Sequence, residues 1–473
     1  MRTLPLVLVL VAGCSTSSPA RTAAGSPSPV PAPTQAPSPA AGSAAPSAAP
    51  VAAPEPAGCP TSYAQPDPLR PRLSARVTVA DGVVTGTEQI AFTPDRPIRE
   101  VVLRLWAAAP RAASAGSRID VTSTRINGTT VTARRSSPTV LRLPAAVAAG
   151  ETVRIEAGFR LTLPVGANDR FGHRGTTAWF GSGLPLLAWE RGRGWAVEPA
   201  TSAFAEASTS EEMELTSLAV SRARGLGVVA PGAVVSDDGA TAVFRARAVR
   251  DVAVAVGAFR TATGTASGKT VLAGVAPGQV DSAAAAAAEI GRALSRHAAR
   301  FGPFPYERLS VAVLPDIRGG IEYPGVILLG TGQLDNPTAS HEVAHEWFYG
   351  LVGNDQARDP WLDESFATYA EALDHGTGSA YLRRTIPVAG RGHAGEPMTF
   401  WESRQAVYFR SVYVQGAQGL LRARAAAGAR AFDRALGCHV RRNAHRITTP
   451  ADLATSLRAL PAAMRELTRV GVL

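Results

Sequence analysis

The pattern of apolar and polar positions divides the chain into two parts with different periods. From residue 59 to residue 260, short runs rich in Val, Ile and Thr alternate in polarity between turn residues, which is typical of half-buried β-strands. Asp81-Gly82, between the first two runs, is a hairpin signal. The predicted strands include residues 73–80, 83–92, 99–106, 152–163, 214–222 and 241–257. This part therefore predicts an N-terminal antiparallel β domain, saddle-like or sandwich-like in shape.

Beyond about residue 279 the apolar positions recur with a helical period. A first helix begins at Asp281 or Ser282, either of which can cap it, and ends near Arg300, before Gly302. Short apolar strands follow at residues 309–314 and 325–329, and further helices are predicted at residues 336–350, 363–375, 403–426, 431–443 and 452–459. Strands first and helices afterwards indicate an α+β protein, with a β domain at residues 59–260 and a mainly helical domain at residues 261–473.

The N-terminus carries a targeting signal. Arg2 supplies positive charge, and residues 4–11 form an apolar run too short to span a bilayer. Small residues directly before Cys14 resemble the lipobox of bacterial lipoproteins. The resemblance implies a signal peptide at residues 1–13 and a lipid on Cys14 that anchors an exported protein to the outer face of the cell membrane. The alternative is an ordinary secretory signal with a chance cysteine.

Residues 14–58 consist mainly of Ala, Pro and Ser. Such a composition cannot bury a core, so we predict a disordered tether between the lipid and the folded part.

Charge and cysteine content narrow the choice of partners. The formal net charge is +10, but the arginines are scattered and Lys269 is the only lysine. We therefore expect a solvated basic surface and no nucleic-acid partner. Besides Cys14, the chain contains Cys59 and Cys438. In an oxidising compartment they can form a disulfide, or both can be free and buried, and the sequence leaves this open. We favour a monomer.

The densest chemical signal is a histidine pair that encloses a glutamate. His341 and His345 are separated by one helical turn, and Glu364 follows 19 residues after His345. Two imidazoles and a carboxylate, with one open position, form the ligand set of a catalytic zinc ion. Glu342, between the histidines, is placed to take a proton from a water molecule. Thr368 and Glu371 lie further along the helix of Glu364 and are candidates to orient the ligands.

These motifs resemble those of the gluzincin aminopeptidases of the aminopeptidase N family. The resemblance rests on HEVAHEWFYG at residues 341–350 and WLDESFATY at residues 361–369. GGIEY at residues 319–323 resembles the Gly-x-Met-Glu-Asn exopeptidase motif, and VYVQGA at residues 412–417 resembles the segment with the catalytic tyrosine. Residues 250–259 resemble the last strand of the family's N-terminal domain. The resemblance implies a thermolysin-like catalytic domain.

The resemblance also implies a role for each matching residue. His341, His345 and Glu364 would bind one zinc ion, and Glu342 would be the general base. Glu322 would bind the free α-amine of a peptide, with Gly319 and Gly320 letting the substrate backbone approach closely. Tyr413 would donate a hydrogen bond to the oxyanion. Without the resemblance, Glu322 is more simply a loop charge and Tyr413 a tyrosine of the core.

The sequence departs from the family pattern at several positions. Ser365 replaces a glycine, Tyr323 replaces an asparagine, and Gln415 replaces a lysine. The N-terminal-domain motif that helps hold the α-amine is not recognisable, and Glu190 is a weak substitute. The chain ends 60 residues after Tyr413, so we expect it to lack the helical C-terminal domain common in this family and to have a more open cleft.

Together these features predict a zinc-dependent peptidase that releases N-terminal residues from peptides. Two alternatives stay open. One is an endopeptidase or another zinc hydrolase on the same scaffold. The other is a non-catalytic surface binding protein with a residual metal site.

Overall fold

The computed structural model describes residues 58–202 and 211–473, which form one compact unit. The predicted signal peptide, Cys14 and residues 15–57 of the predicted tether lie outside the described residues. The order of the described elements, strands first and helices afterwards, confirms the predicted α+β class.

Strands make up most of the described residues before residue 276. In chain order they are β1 (Arg72–Ala80), β2 (Val83–Phe92), β3 (Ile98–Arg104), β4 (Arg118–Ile126), β5 (Thr129–Thr130), β6 (Arg134–Ser137), β7 (Val140–Val147), β8 (Val153–Thr162), β9 (Phe171–Arg174), β10 (Thr177–Gly181), β11 (Leu186–Leu187), β12 (Trp189–Glu190), β13 (Gly194–Trp195), β14 (Met213–Ser221), β15 (Gly227–Val229), β16 (Ala233–Asp237), β17 (Thr241–Val249), β18 (Ala253–Gly257), β19 (Arg260–Ala266) and β20 (Lys269–Val275). Later strands are β21 (Arg308–Leu314), β22 (Gly320–Tyr323), β23 (Val326–Gly330), β24 (Val352–Asn354) and β25 (Arg446–Thr448).

Eight strands form the largest sheet, in the order β16-β17-β14-β1-β2-β8-β4-β5. The hairpin between β1 and β2 turns at Asp81 and Gly82, which both have positive φ, as the Asp-Gly signal predicts. β1 pairs with β14 in parallel, so the sheet is mixed. The sequence predicts only antiparallel pairing here. The parallel neighbour is distant in sequence, and local patterns carry no information about it.

Two four-stranded sheets, β11-β3-β7-β6 and β15-β18-β10-β9, complete the β part. Their apolar side chains share one hydrophobic core with the large sheet. The arrangement is therefore sandwich-like, as predicted.

A five-stranded sheet, β19-β20-β21-β23-β22, supports the second part of the chain. Its inner strands β20, β21 and β23 are parallel, whereas β22 runs antiparallel at the edge. The edge position leaves one side of β22, with Glu322, unpaired by another strand. The predicted boundary between residues 260 and 261 coincides with the start of this sheet but stays a prediction.

One face of this sheet packs on β10, β15 and β18 of the β part, and its other face shares a core with the helices of the second part of the chain. They are α2 (Ala283–Phe301), α3 (Thr338–Ala344), α4 (Trp361–Asp374), α5 (Gly378–Arg383), α6 (Met398–Trp401), α7 (Gln405–Phe409), α8 (Gly416–Ala427), α9 (Ala429–Asn443), α10 (Pro450–Leu457) and α11 (Pro461–Arg469), while α1 (Pro110–Ser114) lies in the β part. The Ser282 side chain caps α2, as predicted. Among the described residues, no helix combines the length and apolar character needed to cross a bilayer.

Two predicted helices are interrupted. The helix predicted at residues 336–350 ends at Ala344, and the chain then makes wide turns, with Leu351 N donating to Glu346 O. The helix predicted at residues 403–426 contains a π-helical segment, Arg410–Gln415. π-helical turns often occur at functional sites, and this one carries Tyr413.

Cys59 and Cys438 form a disulfide that joins the start of the described chain to α9. Ala64 N donates to Arg441 O at 2.9 Å, and the Tyr63 hydroxyl donates to Pro303 O at 2.7 Å. These contacts attach the segment before β1 to the helical part. The two cysteines are thus paired in the structure, which the sequence left open.

Candidate active site

The predicted metal ligands come from the ends of two adjacent helices. α3 and the residue after it present His341 and His345, whose ring centroids are 4.8 Å apart. Glu364, in the first turn of α4, lies 3.1 Å from His341 Nε2 and 3.5 Å from His345 Nε2. One atom from each side chain lies within 4.8 Å of the others, and all three residues are buried. These donors can hold a metal ion.

Further contacts orient both imidazoles. His341 Nδ1 donates to Glu371 Oε2 at 3.1 Å, and the Tyr381 hydroxyl donates to the other oxygen of Glu371. His345 Nδ1 donates to Phe348 O at 3.1 Å. Each Nδ1 is therefore occupied, and each Nε2 faces the same space as Glu364. Glu371 lies where the sequence predicts an orienting residue, whereas no described hydrogen bond joins Thr368 to these groups.

Opposite charges are concentrated around this space. Burial by itself lowers the pKa of His345, but Glu322 and Glu364 outweigh this effect and raise that pKa to about 9. Burial by itself raises the pKa of Glu364. Hydrogen bonds from both histidines outweigh this effect and hold the pKa of Glu364 well below its usual value. The negative charge of the carboxylates thus stabilises a positive charge between the imidazoles. A divalent metal ion would be stabilised there in the same way.

Glu342 lies against the edge strand. A Cβ atom on Gly320 would be 2.3 Å from Glu342 Cγ, so only glycine leaves room for the carboxylate. Burial raises the pKa of Glu342 to about 7, although His341 and His345 lower it in part. A carboxylate that titrates near neutral pH is suited to general acid–base catalysis.

Glu322 is carried on β22 and is buried. Its Oε1 accepts a hydrogen bond from Gln356 Nε2 at 3.2 Å. Gly319 precedes the strand with φ of +108°, a conformation that other residues rarely adopt. The strand therefore presents Glu322 beside Glu342, in the arrangement that the sequence predicts.

Tyr413 reaches the site from the π-helical segment. Its ring stacks on His341 with centroids 5.9 Å apart, and its hydroxyl donates to Glu364 Oε1 at 2.6 Å. The predicted oxyanion donor thus lies directly at the predicted ligand set.

Glu322, Glu364 and Tyr413 border a cavity of about 250 Å³. The β part and the helical part both contribute to its wall, with Arg111, Asn168, Asp169, Arg170, Ile317, Arg318, Gly320, Ile321, Glu322, Glu364 and Tyr413. Gly319 and the buried Glu342 are next to residues of this wall.

Glu190 does not lie in this wall, and the suggestion that it helps hold an amine is not supported. Its carboxylate pairs with Arg358, which also binds Glu198 at 2.6 Å and Asp355 at 2.7 Å. This arginine, distant in sequence from Glu190, holds that carboxylate in a group of ion pairs. The β part instead contributes Arg111 of α1 and residues 168–170 of a loop without a recognisable motif.

Two residues that depart from the family pattern, Tyr323 and Ser365, make contacts between elements. The Tyr323 hydroxyl contacts Arg170 Nη1 at 3.1 Å, and its ring lies where a Cβ on Gly181 would be, so it joins β22 to the β part. The Ser365 hydroxyl donates to Val412 O at 2.7 Å and joins α4 to the segment that carries Tyr413.

No protein-family model matches the chain. Curated relatives match short stretches: rat aminopeptidase B is 31% identical over 111 residues, with 19% of this chain and 17% of that protein covered. Rabbit aminopeptidase N is 35% identical over 86 residues (15% of this chain and 9% of that protein), and Streptomyces lividans aminopeptidase N is 60% identical over 35 residues (7% and 4%). The chain therefore matches less than a fifth of the length of these relatives.

Solved structures match most of the chain. The M1 zinc metallopeptidase of Deinococcus radiodurans has a TM-score of 0.63 and 21% identity, with 85% of this chain and 93% of that chain covered. A variant of it bound to a Tyr-Ser-Ala substrate has a TM-score of 0.66 and 20% identity, with 85% and 95% covered. A two-domain M1 zinc metallopeptidase variant bound to L-arginine has a TM-score of 0.64 and 19% identity, with 87% and 95% covered.

Fold and site together define an α+β protein with a buried His-His-Glu group in a cleft. The fold is that of the M1 zinc metallopeptidases, and the curated relatives are aminopeptidases. The resemblance to the aminopeptidase N family is thus confirmed at the level of the fold.

Proposed function

We propose that this protein is a zinc-dependent aminopeptidase. One observation carries the proposal: a single cleft brings together the ligand atoms of His341, His345 and Glu364, the Glu322 carboxylate and the Tyr413 hydroxyl. Binding of a metal alone would require neither Glu322 nor Tyr413.

The donor set fits zinc. Two imidazole nitrogens and one carboxylate oxygen leave a fourth position open, which is the composition of catalytic zinc sites. When bound, zinc supplies a Lewis acid that lowers the pKa of water and polarises a carbonyl group. Glu371 and Phe348 O hold the imidazoles in the tautomer that leaves both Nε2 atoms free for the metal.

The other residues supply the remaining steps. Glu322 pairs with the ammonium group of a free peptide N-terminus and so places the first peptide bond in the cleft. Glu342 accepts the proton of the attacking water and delivers it to the leaving amine, for which its pKa of about 7 is suitable. Tyr413 donates a hydrogen bond to the oxygen of the tetrahedral intermediate.

Metal content and amide hydrolysis test this proposal. Purified protein is expected to contain one zinc ion per chain and to release amino acids from aminoacyl amides. A chelator should abolish this activity and added zinc should restore it. Glu342→Gln is expected to keep the metal and lose at least about 10²-fold in kcat. A purified protein that binds no zinc would exclude the proposal.

Substrates with blocked N-termini separate the alternatives. An aminopeptidase should cleave free-amine substrates and leave N-acetylated peptides intact, and Glu322→Ala should raise KM for the free amines. Equal cleavage of blocked and free peptides would instead identify an endopeptidase on this scaffold.

We also propose that the protein is exported and anchored to the outer face of the cell membrane through a lipid on Cys14. The disulfide between Cys59 and Cys438 supports export, because such bonds persist in oxidising compartments. Labelling of cells with a radioactive fatty acid should mark the protein, and Cys14→Ser should remove the label. An unlabelled wild-type protein would refute the anchor.

A further inference from the structure

Gln356 makes two hydrogen bonds that connect separate parts of the cleft. It lies between β24 and α4 and is 2% exposed. Its Nε2 donates to Glu322 Oε1 at 3.2 Å and to Asp363 Oδ2 at 2.9 Å. An amide nitrogen carries two hydrogens, so both bonds can exist at once. No sequence motif assigns a role to Gln356.

We propose that Gln356 is a positioning residue that orients Glu322 for the free amine of the substrate, and this inference rests on the proposed function. Among the described residues, Gln356 makes the only hydrogen bond to the Glu322 carboxylate. Without it, the carboxylate could rotate on an edge strand beside an open cavity. Because Gln356 holds Oε1 of Glu322, the other oxygen of this carboxylate points in a defined direction and can accept a hydrogen bond from an ammonium group.

The neutrality of the amide is essential to this role. Glu322, Glu342 and Asp363 all lie close to His345, and atoms of Glu322 and Asp363 lie within 4.8 Å of each other and of a His345 nitrogen. Carboxylates at this separation repel each other unless donors lie between them. An arginine or lysine would also supply donors, but its charge would pair with Glu322 and compete with the substrate. Gln356 provides the hydrogen bonds and leaves the negative charge available.

The second bond ties amine recognition to the metal site. Asp363 Oδ1 accepts from the main-chain N–H of Glu364 at 2.8 Å, and Glu364 is a predicted ligand. Gln356 therefore holds Glu322 at a constant position relative to the start of α4. This fixes the distance from the bound amine to the metal, and thus selects the first peptide bond.

The test compares Gln356→Met, which keeps the size but removes both donors, with Gln418→Met. Gln418 is a matched control, because it is also buried and its Nε2 also donates twice, to Tyr381 O and Arg384 O at 2.8 Å each. Zinc-loaded proteins are titrated by calorimetry with an amino-acid amide and with its N-acetylated form, and KM, kcat and zinc content are measured on an aminoacyl amide.

Gln356→Met is expected to weaken binding of the free amine, and to raise KM, about tenfold, as for loss of one hydrogen bond to a charged group. Zinc content and binding of the acetylated form should not change, and Gln418→Met should lower thermal stability without changing amine affinity. The proposal is overturned if Gln356→Met binds the free amine as wild type does, or if both ligands weaken equally.

Calorimetry measures binding and not hydrolysis, so it tests the role of Gln356 separately from the proposed function. A zinc-loaded wild type that binds the free amine but hydrolyses nothing would refute the peptidase and leave the comparison of variants valid. A wild type that does not prefer the free amine would overturn the role of Gln356. If Gln356→Met does not fold, Gln356→Ala gives the same comparison with a smaller side chain.

Discussion

At the scale of single residues, the site depends on the space that a glycine leaves as much as on its functional side chains. Gly320 borders the cavity and faces Glu342, the proposed general base, and a Cβ there would be 2.3 Å from Glu342 Cγ and 2.6 Å from Glu342 Cδ. Real Cβ atoms do not approach this closely, so any larger residue must displace the carboxylate.

Gly320→Ala is therefore expected to lower kcat at least about tenfold while zinc content stays unchanged, because misplacement of a catalytic group by about 1 Å is costly. Steady-state kinetics and metal analysis measure both quantities. Gly264→Ala on β19 is the control, since the nearest atom to its added Cβ is 3.9 Å away. Unchanged kcat in Gly320→Ala would show that Glu342 is not the base.

A second residue-scale prediction concerns Glu88 in the core of the β part. Its side chain is 2% exposed, and neither carboxylate oxygen has a hydrogen-bond partner among the described residues. Burial raises its pKa well above the usual 4.5. In the unfolded chain the group ionises above about pH 4.5, whereas the folded protein keeps the proton, so stability is lost as pH rises above that value.

Glu88→Gln should thus raise the free energy of unfolding at pH 7 by about 2 kcal/mol, and this gain should disappear near pH 4. Urea denaturation at both pH values gives the two differences. Glu156→Gln, on the adjacent strand β8 and only partly buried, serves as the control. A gain that is independent of pH would contradict the assignment of a protonated Glu88.

At the scale of elements, the contact between α4 and the π-helical segment sets the position of Tyr413. The Ser365 hydroxyl donates to Val412 O, and a Cβ on Gly416 would lie 1.9 Å from Ser365 Oγ. The two elements can approach this closely only because Gly416 has no side chain.

Gly416→Ala is expected to destabilise the protein by about 1–3 kcal/mol, the usual cost of overpacking. Addition of Ser365→Gly should recover part of this loss, because it removes the atom that clashes. Thermal unfolding of the two single variants and the double variant measures their coupling. Purely additive effects would show that the clash is not the cause.

At the scale of the whole molecule, one covalent bond joins the start of the described chain to α9. Cys59 and Cys438 are 379 residues apart in sequence. Closure of so long a loop restricts the unfolded chain strongly. The bond also secures the segment of Tyr63 and Ala64 against the helical part.

Removal of the disulfide by the double substitution of Cys59 and Cys438 with Ser should lower the free energy of unfolding by on the order of 5 kcal/mol. Denaturation with and without a reducing agent measures this effect, and the reducing agent should change nothing further in the double variant. Equal stability of reduced and oxidised wild type would refute the contribution.

The sequence by itself determined those features that depend on near neighbours. The periods of apolar residues predicted the α+β order, the Asp81-Gly82 dipeptide predicted the first hairpin, and either Asp281 or Ser282 was predicted to cap the helix that Ser282 caps. The spacing of His341 and His345 predicted the core of the site, because residues four apart on a helix lie on one face. The ligand set of a catalytic zinc site added Glu364 as the third ligand, whereas the role of Tyr413 was reached only through the resemblance of a longer motif to a family.

Only the tertiary structure decided which distant residues meet. It paired β1 with β14 in parallel, joined Cys59 to Cys438, and brought Arg358 into an ion pair with Glu190. It also placed Gln356 between Glu322 and Asp363. No local pattern encodes these contacts, because each depends on packing between elements that are far apart in sequence, and burial and charge at the contact then set the chemistry of the group.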